Sequence, residues 1–167
     1  ESPGERKPTD INSLLEEYTG LAYHGMRAAD SELVAHIVKN FDKSLGEVDI
    51  ITQDFARVCL NLLNNAFYAV HQKAKATNEE GYEPTVTVTT RRTGGKAVVM
   101  VADNGIGIPD EVVDKIFVPF FTTKPTGSGT GLGLSLSYDI IVQGHGGTLG
   151  VEKTPGGGAT FVITVPL

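Results

Sequence analysis

The sequence has little to brace or anchor it covalently. A single cysteine, Cys59, excludes a disulfide within the chain and any cysteine-built zinc set. Long apolar runs are missing as well. The longest, 97–102, is far too short to span a bilayer, and no signal peptide is expected ahead of the domain. A cytoplasmic domain without direct membrane contact is the expectation. Positive charge is scarce: 14 Lys and Arg against 20 Asp and Glu leave a formal net charge of -6. Such a surface repels a phosphate backbone and argues against nucleic acid as a partner. The chain opens at Glu1 without an initiator methionine, as expected of a piece cut from something longer.

What is present suits one globular domain. The chain has 167 residues, 40% hydrophobic and 20% charged, enough to bury a core and too apolar for disorder. Residues 1–9 read as a linker end, and 10–167 as the domain. Thr9 or Asp10 is placed to cap a helix over 11–29, whose apolar stripe is Ile11, Leu14, Leu15, Tyr18, Leu21 and Ala22. A strand over 36–41 follows in an otherwise mixed segment. Thr52 is placed to cap a long helix to about residue 76. Residues 85–91 alternate like a half-buried strand, 93–96 form a hairpin turn, and 97–102 return as a more buried strand. Short and longer helices are expected over 111–117 and 131–142, and two strands over 146–153 and 159–165. Interleaved helices and hairpin-paired strands predict an α+β, two-layer α/β sandwich: a mixed, mostly antiparallel sheet with helices on one face.

Three segments carry chemistry. On the helix from residue 52, Phe55, Val58, Cys59, Leu62, Leu63, Ala66, Ala69 and Val70 form a core stripe, while Asp54, Asn61, Asn65 and Tyr68 share one flank. Asparagine is a poor helix-interior residue, because its amide competes for backbone hydrogen bonds. Three asparagines within 61–65 are a local cost. Either they form a solvated flank, or they offer carboxamide oxygens to a hard cation such as magnesium. The second segment is the loop 103–109, Asp-Asn-Gly-Ile-Gly-Ile-Pro, which follows a buried strand. A carboxylate there needs a donor. The exocyclic amine of adenine is one, whereas guanine presents a carbonyl. Gly105 and Gly107 let backbone close on a ring, and Ile108 offers an apolar wall. The third is the glycine-rich run Gly127, Gly129, Gly131 and Gly133, opening a helix. It matches neither the P-loop nor the dinucleotide fingerprint. Bare N–H groups at a helix start suit phosphate oxygens; a flexible linker is the alternative. Between the loops, Phe117, Phe120 and Phe121 lead to Lys124, which is either a phosphate contact or a surface lysine.

Together these residues resemble the catalytic ATP-binding domain of sensor histidine kinases, within the Bergerat-fold superfamily that includes gyrase, Hsp90 and MutL. Residues 61–66 resemble its N box and 103–109 its first glycine box. Residues 117–124 resemble the F box, 127–134 the second glycine box, and 157–161 the last. The resemblance implies Mg-ATP as ligand. It makes Asn65 the magnesium ligand, with Asn61 helping to hold the ion's hydration or phosphates. Asp103 is implied to bind adenine with support from Thr160, and Gly105, Gly107 and Ile108 to shape the base pocket. Tyr68 is the candidate for the far wall, because Ala69 stands where many members carry an aromatic. Gly127, Gly129, Thr130, Gly131, Leu132 and Gly133 are implied to contact phosphates. A lid over 120–129 contains Phe120 and Lys124.

The ATPase relatives carry a glutamate base one turn before the metal asparagine; here that position is Asn61, and an amide cannot take a proton from water. Asp54 lies about 16 Å from Asn65 at ~1.5 Å per residue. Asn61 and Lys124 are therefore the catalytic candidates for transfer rather than hydrolysis. None of His24, His36, His71 and His145 is followed by an acidic residue. The acceptor histidine is expected on a separate dimerisation domain, with a response regulator as indirect partner and no receiver domain after Leu167. A serine kinase of the anti-sigma-factor type, a gyrase-like, Hsp90-like or MutL-like ATPase, and a non-catalytic ATP-binding module remain alternatives.

Overall fold

The computed structural model describes residues 4–77, 80–119, 121 and 133–167. Its elements run β1 (Lys7–Asp10), α1 (Ile11–Ala29), β2 (His36–Asn40), β3 (Glu47–Ile50), α2 (Thr52–Ala76), β4 (Thr85–Thr93) and β5 (Lys96–Asp103). A 3₁₀ turn at Val113–Lys115, α3 (Gly133–Asp139), a π-helical turn (Ile140–Gly144), β6 (Thr148–Lys153) and β7 (Ala159–Pro166) complete the chain.

Among the described residues, five strands form the main sheet in the order β2-β4-β5-β7-β6. Only the β2–β4 pair is parallel; β4–β5, β5–β7 and β6–β7 are antiparallel. Period-2 alternation sends one face of each strand to the helices. On β5 that face carries Ala97, Val99, Val101 and then Asp103, all buried. Their partners Val88, Phe161, Ile163 and Val165 extend the same layer. Against it lie α1 and α2, packed on each other. Helix α2 buries Phe55, Val58, Cys59, Leu62, Leu63, Ala66 and Val70, as its apolar period requires. Burial pushes the Cys59 thiol up to about 12, so it packs as an inert small hydrophobe. The expected two-layer α/β sandwich is the observed one, and no helix among the described residues is long and apolar enough to cross a membrane.

Local differences have physical causes. The segment read as a linker end closes in a strand: β1 pairs antiparallel with β3, with Pro8 opposite Asp49. Both strands are four residues long, too short for a periodic signal. Asp10 caps α1, its carboxylate accepting from the Ser13 N–H at 3.2 Å and the Ser13 hydroxyl at 2.9 Å. Thr52 does not cap α2. Its hydroxyl lies 2.7 Å from that of Thr9, and Ile51 takes the cap position without a side-chain bond. The helix expected over 111–117 is instead a series of i→i+3 turns, from Val112 N–H to Pro109 through Phe121 N–H to Val118.

After α3 the chain widens into the π turn, which places the His145 ring inside the fold. Its Nδ1 lies 2.9 Å from the Ile140 carbonyl, and its Nε2 accepts the Ile51 N–H at 3.0 Å. A carbonyl can only accept, so the ring proton sits on Nδ1. His145 thereby receives a backbone donor at the start of α2 that no side-chain cap covers. Arg6 adds a second tie to this corner, donating to the Gly144 carbonyl at 2.7 Å.

His145→Leu keeps the apolar bulk but leaves the Ile51 N–H without its imidazole acceptor. The expected loss is about 1–3 kcal/mol of unfolding free energy, read from urea denaturation with an unchanged m-value.

Candidate functional site

Two clusters carry the candidate residues. The first surrounds Asp103, which is 4% exposed and ends the buried face of β5. Its Oδ1 accepts from the Gly105 N–H at 2.9 Å and the Ala159 N–H at 3.4 Å. Burial pushes the carboxyl up to about 6, while these two N–H bonds pull the other way. With Oδ1 holding both hydrogen bonds found among the described residues, Oδ2 is left to serve an incoming donor.

Close approach forces glycine around this carboxylate. A Cβ on Gly105 would lie 2.4 Å from the Ala69 carbonyl carbon, on α2. At Gly158, with φ of +101°, a Cβ would lie 2.0 Å from the Asp103 carbonyl oxygen. Gly107 has φ of +73° and lies against the Gly158 backbone. Ala69, the residue standing where many members of the resembled family carry an aromatic, is thus the floor on which the first glycine loop rests. Ile108 is half-buried against the core. Thr160, 8% exposed, brings its hydroxyl to 3.0 Å from that of Thr154. The direct contact to Asp103 comes from the neighbouring Ala159 backbone.

Asn104 makes a clamp that the local sequence does not reveal. Its Oδ1 accepts from the Thr85 N–H at 2.9 Å, and its Nδ2 donates to the Glu83 carbonyl at 2.8 Å. The glycine loop is thereby fastened to the start of β4. An Asx residue beside glycine was the available signal, but its partners lie some twenty residues away in the chain.

The second cluster lies on the polar flank of α2. Asn61, Asn65 and Tyr68 are half-buried there, with Asn61 and Asn65 one turn apart. Asn61 Nδ2 is 3.3 Å from both the Gly133 carbonyl and the Ser137 hydroxyl. Ser137, fully buried, donates to the Gly133 carbonyl at 2.8 Å. The structure therefore brings Asn61 to Gly133, the first residue of α3. Ser137 was absent from the sequence reading; a serine four residues beyond a helix-opening glycine gives no signal by itself. Phe120, Lys124, Gly127, Gly129, Thr130, Gly131 and Leu132 lie outside the described residues, as does most of the expected lid.

A two-layer sandwich with a buried aspartate at a strand end, a close-packed glycine loop and a carboxamide flank on the facing helix defines a class. Residues 50–167 match the family model described as histidine kinase-, DNA gyrase B- and HSP90-like ATPase, and the chain belongs to that family. Nucleotide use follows from this membership. Among its relatives, the chain is 33% identical over 162 residues to the sensor protein FixL of Bradyrhizobium diazoefficiens, covering 97% of this chain and 29% of FixL. It thus spans less than a third of that relative's length. The nucleotide-free catalytic domain of histidine kinase ThkA superposes with a TM-score of 0.78 at 30% identity, covering 97% of this chain and 95% of that one. Full-length ShkA in complex with AMPPNP superposes with a TM-score of 0.75 at 25% identity, covering 96% of this chain and 31% of ShkA.

Gly105→Ala drives a methyl into α2 backbone, which cannot yield as a flexible side chain would. The expected cost is about 1–3 kcal/mol of stability, seen as a lower thermal midpoint, together with weaker nucleotide binding. A variant with wild-type melting and binding contradicts the close-packed loop.

Proposed function

We propose that this chain is the ATP-binding catalytic domain of a sensor histidine kinase. It would transfer the γ-phosphoryl group of Mg-ATP to a histidine on a separate dimerisation domain, from which a response regulator receives it. The observation that carries this reading is the buried Asp103 carboxylate, one oxygen held by two backbone N–H groups and the other left for a base. The exocyclic amine of adenine donates to such an oxygen, whereas the guanine carbonyl at that position is repelled. The kinases ThkA and ShkA share this fold, and the AMPPNP complex of ShkA supports a nucleotide as the ligand.

The donor set fits magnesium. Asn61 and Asn65 offer hard carboxamide oxygens from one flank, and no group of three or more His, Cys, Asp or Glu occurs among the described residues to hold a metal by itself. Asn65 is the proposed direct ligand, and Asn61 lies one turn before it. When bound, the ion neutralises charge on the phosphate oxygens.

The chain's own residues then bind and orient. Asp103 fixes the base, and the flank of α2 fixes the phosphate end. A carboxamide at position 61 takes no proton from water, so hydrolysis is poorly served. A histidine acceptor is already nucleophilic, and its phosphorylation depends chiefly on positioning. Two of the chain's own histidines are committed elsewhere: His145 as described, and His71 through Nε2 at 2.9 Å from Asp30. This supports an acceptor outside the domain.

Calorimetric titration tests both halves. Asn65→Ala is expected to lose about tenfold or more of its affinity for ATP in magnesium, while its affinity in EDTA stays at the wild-type level. Equal loss in both conditions would contradict a metal ligand. Asp103→Asn is expected to lose the preference for ATP over GTP.

The same substitution has a signed effect on stability. The Asp103 carboxyl in the fold lies above its ordinary 3.8, at about 6. Between these values the folded domain keeps a proton that the unfolded chain has lost, so stability falls as pH rises through this window and stays low above it. Asp103→Asn should therefore raise the stability of the nucleotide-free domain at pH 7.5, by up to roughly 2–3 kcal/mol. The gap should close by pH 4. Wild-type ATP affinity should fall below pH 6 as the acceptor oxygen is protonated. The same stability gap at both pH values would refute the assignment.

A further inference from the structure

We propose that Ser137 is a positioning residue that fixes which end of the Asn61 carboxamide faces the nucleotide. The inference rests on the function proposed above. The available protons decide the orientation. The Gly133 carbonyl can only accept. The Ser137 hydroxyl has one proton, and it goes to that carbonyl at 2.8 Å. Towards Asn61, 3.3 Å away, the hydroxyl can therefore only accept. Both neighbours of Asn61 on α3 thus demand a donor, and only the Nδ2 end of the amide supplies one. Its two N–H bonds match the two acceptors. The amide oxygen is consequently turned to the side away from α3.

That orientation matters for chemistry. A carboxamide presents a donor or an acceptor depending on a 180° flip. A phosphate oxygen calls for the donor; a cation, or a water on a cation with its protons pointing outward, calls for the acceptor. Ser137 selects the acceptor. Asn61 then serves the metal's hydration beside Asn65 and does not donate to phosphate. Ser137 bonds back to the carbonyl one turn before it, an arrangement that slightly disfavours a helix. It is also fully buried, where an unneeded hydroxyl would be a liability. The bond to Asn61 gives both features a purpose. It also ties α2 to the first turn of α3, directly after the glycine-rich segment, so the metal side and the phosphate side of the site share one side-chain network.

Ser137→Ala removes the hydroxyl and leaves the amide a single anchor at 3.3 Å, the Gly133 carbonyl. Two readouts follow, neither of them turnover. In NMR spectra of the nucleotide-free domain, the Asn61 side-chain NH₂ protons are expected to exchange slowly with solvent in wild type and several-fold faster in Ser137→Ala. Resonances are assigned by their loss in Asn61→Asp. In titrations with ATP, the magnesium concentration giving half-maximal tightening should rise about tenfold in Ser137→Ala, with affinity in EDTA unchanged. Ser137→Thr, which keeps the hydroxyl, should restore slow exchange. A dispersed amide spectrum for Ser137→Ala separates these effects from unfolding. Unchanged Asn61 exchange in Ser137→Ala overturns the positioning role whatever ATP does. Faster exchange with an unchanged magnesium requirement overturns the link to the metal. Wild-type ATP binding indifferent to magnesium overturns the proposed function instead, while the exchange result still judges the Ser137–Asn61 bond.

Discussion

A carboxylate at the end of a central strand sets the terms for the rest of this domain. Asp103 occupies a position that the alternation of β5 assigns to the core side, after Ala97, Val99 and Val101. Taking a charge out of water there is costly, and the fold offsets it only in part, with the N–H groups of Gly105 and Ala159. The two donors come from different parts of the chain, one from the loop after β5 and one from the start of β7. Both can reach only because the backbone comes very close. This explains why Gly105 and Gly158 are glycines: any Cβ would collide with the Ala69 or Asp103 backbone. Their smallness is a packing requirement first, and for Gly158 a conformational one as well. The residual cost stays with the carboxylate, whose second oxygen is the one proposed to accept from a ligand.

Helix α2 carries the second half of the arrangement because it serves two masters. Its apolar stripe fills the space between α1 and the sheet, which fixes the helix rotation. With rotation fixed, the flank bearing Asn61, Asn65 and Tyr68 has no freedom to face elsewhere. The segment from α3 through the π turn is then fastened to α2 at two points. Asn61 holds the beginning through Gly133 and Ser137, and the Ile51 N–H holds the end through His145. The π turn is the geometric device that allows this, since the extra residue per turn brings the imidazole between two backbone groups. Arg6, just before β1, joins the same corner and so touches the element that leads out of the glycine-rich segment.

Much of this was legible beforehand, for reasons that differ by element. Helices α1 and α2 and strands β4, β5, β6 and β7 each repeat an apolar period over enough residues to be unambiguous, and glycines mark the turns between them. Asp103 stood out because a carboxylate closing an apolar run needs an explanation. Asn61 and Asn65 stood out because amides weaken a helix interior. The pairing of β1 with β3, the π turn, the clamp by Asn104 and the bond from Ser137 were not legible. Strands of four residues carry no period, and hydrogen bonds between residues 19 to 94 positions apart leave no local trace.

The residues proposed to bear the chemistry could be singled out along the chain, because local costs and periodicities are properties of neighbouring positions. The sequence by itself also determined that the helices lie on one face of a sheet, since each element shows a single apolar side. Only the tertiary structure decided which atoms those residues present. The carboxamide of Asn61 is donor or acceptor, and the ring of His145 is protonated at one nitrogen or the other, according to partners that folding brings from distant parts of the chain. A polar side chain's identity is local, but its hydrogen-bonding sense depends on what surrounds it.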